Sequence, residues 1–280
     1  MTVSRKIIKI CPGLAASDGA GVKLIRLIGS PELDMLDPFL LFDNFESDDP
    51  DDYIGGFPSH PHRGFETVTY ILAGRMRHKD NAGHEGVIAA GDVQWMTAGR
   101  GIIHSEMPEQ EDGLLQGFQL WVNLPAKDKM MAPRYQEFSA KEIPFEVLDN
   151  GVTIKVISGE TDRGTAGMVR NTSTNPLYFD ISLKAGSSIT QSLPEQYNAF
   201  IYVIEGAALA NEDGIKAGPR DLAILGNGDH ITIMSPDEDS RLLLIAGERL
   251  NEPVARAGPF VMNTRAEVLQ AFQDYQNGNF

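Results

Sequence analysis

The sequence predicts an all-β protein made of two tandem antiparallel barrels, closed by a short C-terminal helix. Three observations carry this. Short runs of β-branched and aromatic residues alternate with Gly, Asn, Asp and Pro at about every eight to twelve positions, the rhythm of a barrel or sandwich. The second half of the chain repeats the first in its strands and turn glycines. Helical periodicity appears only after Thr264.

In chain order, residues 4–10 and 22–28 read as two strands split by a turn at Gly19 and Gly21. The apolar run 38–45 leads into 46–52, where five acids in seven residues surround Pro50. That segment is a solvated loop, and it ends close enough to His60 to form a rim over anything held there. Residues 66–72 form a strand closed by Gly74, with a return strand at 75–80 and a polar turn at 81–83. His78 and His84 flank that turn and read as solvated. Further strands at 87–89, 93–96, 102–104 and 116–124 are separated by turns at Gly91 and at Gly99 to Gly101. Residues 126–134, with lysines, methionines and Pro133, are the best linker candidate, giving domains 1–135 and 136–280.

Strands resume at 152–158 and continue through 241–246. Residues 66–74 align with 198–206, and Gly91, Gly99 and Gly101 with Gly218, Gly226 and Gly228. Finally, Thr264 and Glu267 have capping-box spacing, Val268, Leu269, Phe272 and Tyr275 recur at helical intervals, and Asn277-Gly278 stops the helix.

Composition narrows the function classes. Of 280 residues, 42% are hydrophobic, and the net charge is -15. An acidic chain of this kind is a poor match for nucleic acid or an anionic membrane surface. No apolar run approaches the roughly 20 residues that span a bilayer, and the N-terminal stretch lacks a signal-peptide core, so a cytoplasmic protein is expected. Cys11 is the only cysteine, which excludes an intramolecular disulfide; it reads as a small buried apolar residue.

Chemistry is concentrated between Gly55 and Met107. His60-Pro61-His62 and His104-Ser105-Glu106 each place two donors two residues apart, and such residues share one face of a strand. Three imidazoles and a carboxylate suit iron, manganese, nickel, copper or zinc. By the repeat offsets His60, His62, His104 and Glu106 fall on Ser192, Pro194, Ile231 and Ile233 in the second copy. That copy is therefore expected to hold no metal of this type, its isoleucines filling the interior. Arg63 and Arg100 read as structural ion-pair residues, His230 as a surface or packing residue, and Trp95 and Trp121 as core.

The run from His60 through Tyr70, the run from Gly91 to Met107, Leu120 to Leu124, and Gly258-Pro-Phe-Val-Met-Asn-Thr264 together resemble the pirin family of bicupins, over nearly the whole chain. The resemblance implies two cupin domains (antiparallel β-barrel, jelly-roll) with one divalent metal, iron(II), in the first, bound by His60, His62, His104 and Glu106. In most metal cupins the carboxylate ligand lies four residues after the second histidine, which here is Glu66. By strand parity Glu66 shares a face with His60 and His62, and it is expected beside the metal as the catalytic base, with Glu106 as the other candidate. The family includes enzymes that cleave the flavonol quercetin with O2, so a flavonol-like substrate and O2 are the expected partners. It also includes regulators. The alternative is therefore a metal- or redox-dependent module that docks a regulatory protein partner, with the 46–52 loop in its surface.

Overall fold

The computed structural model describes residues 2–211 and 214–280, and 53% of the chain is strand. It divides into two compact units, but not at a single linker. Residues 14–140 cluster with 250–280, and residues 2–13 with 141–249. This departs from the expected ranges 1–135 and 136–280, because each end of the chain completes the unit built by the other half. Strand Ile7–Pro12 pairs antiparallel with Asp221–Leu225, Cys11 opposite Leu222. Cys11 is fully buried, as its reading required.

In the unit containing residues 14–140, a seven-stranded sheet runs in the order Arg134–Phe138, Val93–Thr97, Phe65–Ala73, Leu115–Asn123, Phe39–Ser47, Val22–Ile28, Leu14–Asp18. A four-stranded sheet runs Phe57–His62, Ile102–Pro108, Arg75–Asp80, Glu85–Ala89. In the unit containing residues 141–249 the corresponding sheets again have seven and four strands. The first begins with Ile7–Pro12, Asp221–Leu225 and Tyr197–Glu205; the second begins with Ser188–Ser192 and His230–Met234. The strand aligned with 66–74 is third in both large sheets, so the sequence repeat is a repeat of topology.

The second copy replaces donors with hydrocarbon. Ile231 and Ile233 are both 0% exposed and belong to the core of that unit. The register adjusts the alignment by one residue on the facing strand. His104 lies opposite His60, whereas Ile231 lies opposite Gln191, so buried Gln191, not exposed Ser192, occupies the place of His60.

The C-terminal helix Arg265–Gln276 starts at Thr264 with the full capping box to Glu267. Its buried face is Val268 and Ala271, and Phe272 packs edge-on against Phe260 at 4.8 Å. Leu269, expected on that face, is 54% exposed. The stretch 126–134 is not a linker either. Its Lys129 is 1% exposed, and the ammonium donates to the Gly64 and Val261 carbonyls and to Asn123 Oδ1 at 2.7, 3.0 and 2.6 Å. No helix among the described residues is long and apolar enough to cross a membrane.

Candidate metal centre

Two adjacent strands of the small sheet in the first unit, Phe57–His62 and Ile102–Pro108, bring the paired donors together. His104 lies directly opposite His60 across the ladder. One ring nitrogen from each of His60, His62 and His104 falls within 4.8 Å of the others. His60 Nδ1 sits 2.8 Å from the Pro58 carbonyl. A hydrogen bond there needs the proton on Nδ1, which leaves the lone pair on Nε2, 2.9 Å from His62 Nε2. Neither ring nitrogen of His104 has a hydrogen-bond partner although both are buried. Burial, reinforced by the neighbouring imidazoles, holds the pKa of His62 and of His104 well below the ordinary histidine value, so both rings are neutral. Neutral, buried imidazoles that converge on one point are fitted to donate to a cation.

Glu106 closes the group, with Oε2 4.0 Å from His104 Nε2. The Thr69 hydroxyl donates to its Oε1 at 3.1 Å, and the Gln119 amide donates to Oε2 at 3.5 Å. Burial pushes the Glu106 carboxyl above its usual range. Thr69 and Gln119 lie opposite each other in register, both facing this side.

Glu66 is elsewhere, a correction to its expected role. On strand Phe65–Ala73 the pocket face carries Thr67 and Thr69, and Trp121, which lines the cavity, lies opposite Thr67. Glu66 points to the reverse face, opposite Val122 and Thr97. There it is 1% exposed and accepts from the Thr97 hydroxyl at 2.7 Å. Parity holds only along one strand. Gly64, at φ 89°, turns the chain between the His60 strand and the next, and those strands lie in different sheets.

The donors open on a cavity of about 630 Å³, within the usual size of a small-molecule site. Phe45, Phe57 and Trp121 line it together with Arg26, Asp43 and Arg256. Trp121 is thus a wall of the cavity, not core; its ring meets His62 at 5.2 Å and carries the Arg256 guanidinium over its face at 4.9 Å. Sequence reasoning missed the ion cluster at the rim, where Arg26 grips Asp43 at 3.0 and 2.7 Å and Asp18 at 2.8 Å. Arg256 and Pro259, also lining residues, come from the C-terminal segment. None of residues 46–52 lines the cavity; residues 46 and 47 end strand Phe39–Ser47, and Pro50–Asp52 form a turn with Asp52 paired to Lys23. Arg63 is the structural ion pair expected, on Asp274 at 2.7 Å, and Arg100 is exposed. His78, expected in solvent, is buried.

A barrel carrying convergent imidazoles on two neighbouring strands, followed by a second copy of the same topology without them, defines a two-domain cupin. The chain belongs to the pirin family. Residues 21–122 match the Pirin family model, and residues 178–280 match that of the Pirin C-terminal cupin domain. The chain is 53% identical over 276 residues to a pirin-like protein of Caulobacter vibrioides, covering 99% of both. It is 47% identical over 281 residues to human pirin, covering 99% of this chain and 94% of that one. A crystal structure named quercetin 2,3-dioxygenase, from Acinetobacter baumannii, superposes with TM-score 0.90 at 35% identity, covering 99% of each chain.

Proposed function

We propose that the protein is an O2-dependent dioxygenase of quercetin 2,3-dioxygenase type, holding one divalent metal, iron(II), through His60, His62, His104 and Glu106. The observation that carries this reading is the meeting of three converging imidazoles, His104 with neither ring nitrogen partnered, with a cavity of about 630 Å³ walled by aromatic rings. The resemblance to the Acinetobacter structure supports the substrate class. A metal held there would supply Lewis acidity toward a keto-hydroxyl pair and a redox centre for O2.

The chain does the rest. Trp121 and Phe57 offer flat apolar surface to an aromatic substrate. Asp18 and Asp43 are engaged by Arg26 and held at the rim. Of the two carboxylates considered for proton transfer, only Glu106 faces the cavity. Its burial raises its proton affinity, which suits a base working near neutral pH. Thr69 and Gln119 hold that carboxylate in place at the cavity wall, where it could take a proton from a bound hydroxyl.

The test is O2 consumption with a flavonol by the full chain at defined metal content. Turnover well above that of free metal is expected. Stoichiometric iron without turnover would overturn the enzyme reading and leave the regulatory module.

A further inference from the structure

A second convergent donor set lies in the first unit, on residues that do not line the cavity. His78 on strand Arg75–Asp80 and His84 just after its turn both approach Glu137 on strand Arg134–Phe138. Their Nε2 atoms lie 2.8 and 3.2 Å from one carboxylate oxygen, Oε1. The three ligand atoms fall within 4.8 Å of one another. A tetrahedral metal with nitrogen and oxygen ligands at about 2.0–2.2 Å sets neighbouring donors roughly 3.3–3.6 Å apart, so the two Glu137 edges would open by less than about 1 Å to receive it.

The set is built, not incidental. His84 Nε2 is buried and makes no well-formed hydrogen bond despite its nearness to Glu137. His78 Nδ1 is also buried without a partner, and the Gln94 amide, whose own oxygen is unpartnered, donates to Glu137 Oε1 at 2.6 Å and holds the carboxylate in position. Gly86 lies opposite His78, and a Cβ there would sit 2.6 Å from His78 Nε2, so the glycine keeps that nitrogen clear. Asp80 Oδ1 accepts from the backbone N–H of Ala82 and of His84 at 2.9 and 2.8 Å, fixing the turn that presents His84. The Tyr135 ring backs His84 at 4.4 Å. His84 is 41% exposed in its side chain, which provides an entry path.

We infer that His78, His84 and Glu137 form a second site for a divalent transition metal of zinc type, three protein donors with a fourth position open to water. It is independent of the dioxygenase reading and additional to the ion at His60, His62 and His104. Because His78 lies opposite Glu106 on the neighbouring strand, a cation there adds positive charge one strand away from that carboxylate.

The experiment is a zinc titration of the chelator-stripped full chain against a chromophoric competitor. Two equivalents are expected, the second weaker. His84→Ala and Glu137→Gln should each weaken only the second by more than about 100-fold, beyond the 10–100-fold that an outer-shell group typically costs. His62→Ala should lose the first and keep the second. Saturation of the wild type at one equivalent overturns the site, as does a second equivalent that survives unchanged in both His84→Ala and Glu137→Gln. Replacing zinc with cobalt(II) gives an independent check: the ligand-field spectrum of the second equivalent must change in Glu137→Gln.

Discussion

Glu106→Gln and Glu66→Gln together test the geometry of the first site. Both replace a buried carboxylate with an amide of the same shape. Glu106 lies 4.0 Å from His104 Nε2 and takes hydrogen bonds from Thr69 and Gln119; the amide keeps the volume and loses the charge. A closed four-donor zinc site in small folded peptides is worth roughly 10–16 kcal/mol. One donor of four is then worth about 3–4 kcal/mol, or roughly 10²–10³-fold in affinity. Glu66 lies on the reverse face of its strand, bonded to Thr97, so its substitution should change affinity by less than about threefold, well under the cost of even an outer-shell group. The assay is metal competition at neutral pH, followed by flavonol turnover at equal loading. There Glu106→Gln should lose about 10²–10⁴-fold, the usual worth of a general base, and Glu66→Gln almost nothing. If Glu66→Gln loses metal while Glu106→Gln keeps it, the face assignment of strand Phe65–Ala73 is wrong.

Lys129→Met strands three buried acceptors, at Gly64, Asn123 and Val261, and should destabilise by about 3–5 kcal/mol in urea unfolding; a cost under about 1 kcal/mol would refute the buried ammonium. Ile231→Ala should cost about 2–5 kcal/mol, as for any fully buried isoleucine, and should leave metal content untouched. The hydrogen bond from Arg63 holds the Asp274 carboxyl below its ordinary value of 3.8. The stability this gives is complete above that pH and lost as pH falls through the lowered value. Wild type should therefore melt above Asp274→Asn at neutral pH, with the gap closing in acid; a gap independent of pH would count against the pair.

Much of this was readable in advance, for identifiable reasons. His60, His62, His104 and Glu106 were legible because each pair lies within a single strand, where alternation is a local rule. Glu66 was misread because the same rule was carried across Gly64 into a different sheet. The stretch 126–134, which holds Lys129, reads as a linker because lysines and methionines beside a proline show no strand pattern. The partners of Lys129 come from positions 64, 123 and 261, and no local window contains them. His78 failed likewise, since its partner Glu137 is distant in sequence. Strand Ile7–Pro12 was legible as a strand but not as a partner of Asp221–Leu225, because pairing over such a separation leaves no local signature.

The exchange of chain ends has a consequence for synthesis on the ribosome. The candidate metal centre has all its donors by residue 106, yet its cavity takes Arg256 and Pro259, and the buried ammonium of Lys129 takes Val261. The roughly 140 residues that follow Ala140 need about 7–28 s at ordinary elongation rates. Throughout that interval the histidines belong to a unit that still lacks residues 250–280, while residues 2–13 wait for their own strand partner. Metal acquired early would enter a site whose walls are missing. The wall of the cavity is complete only once Arg256 and Pro259 have been made.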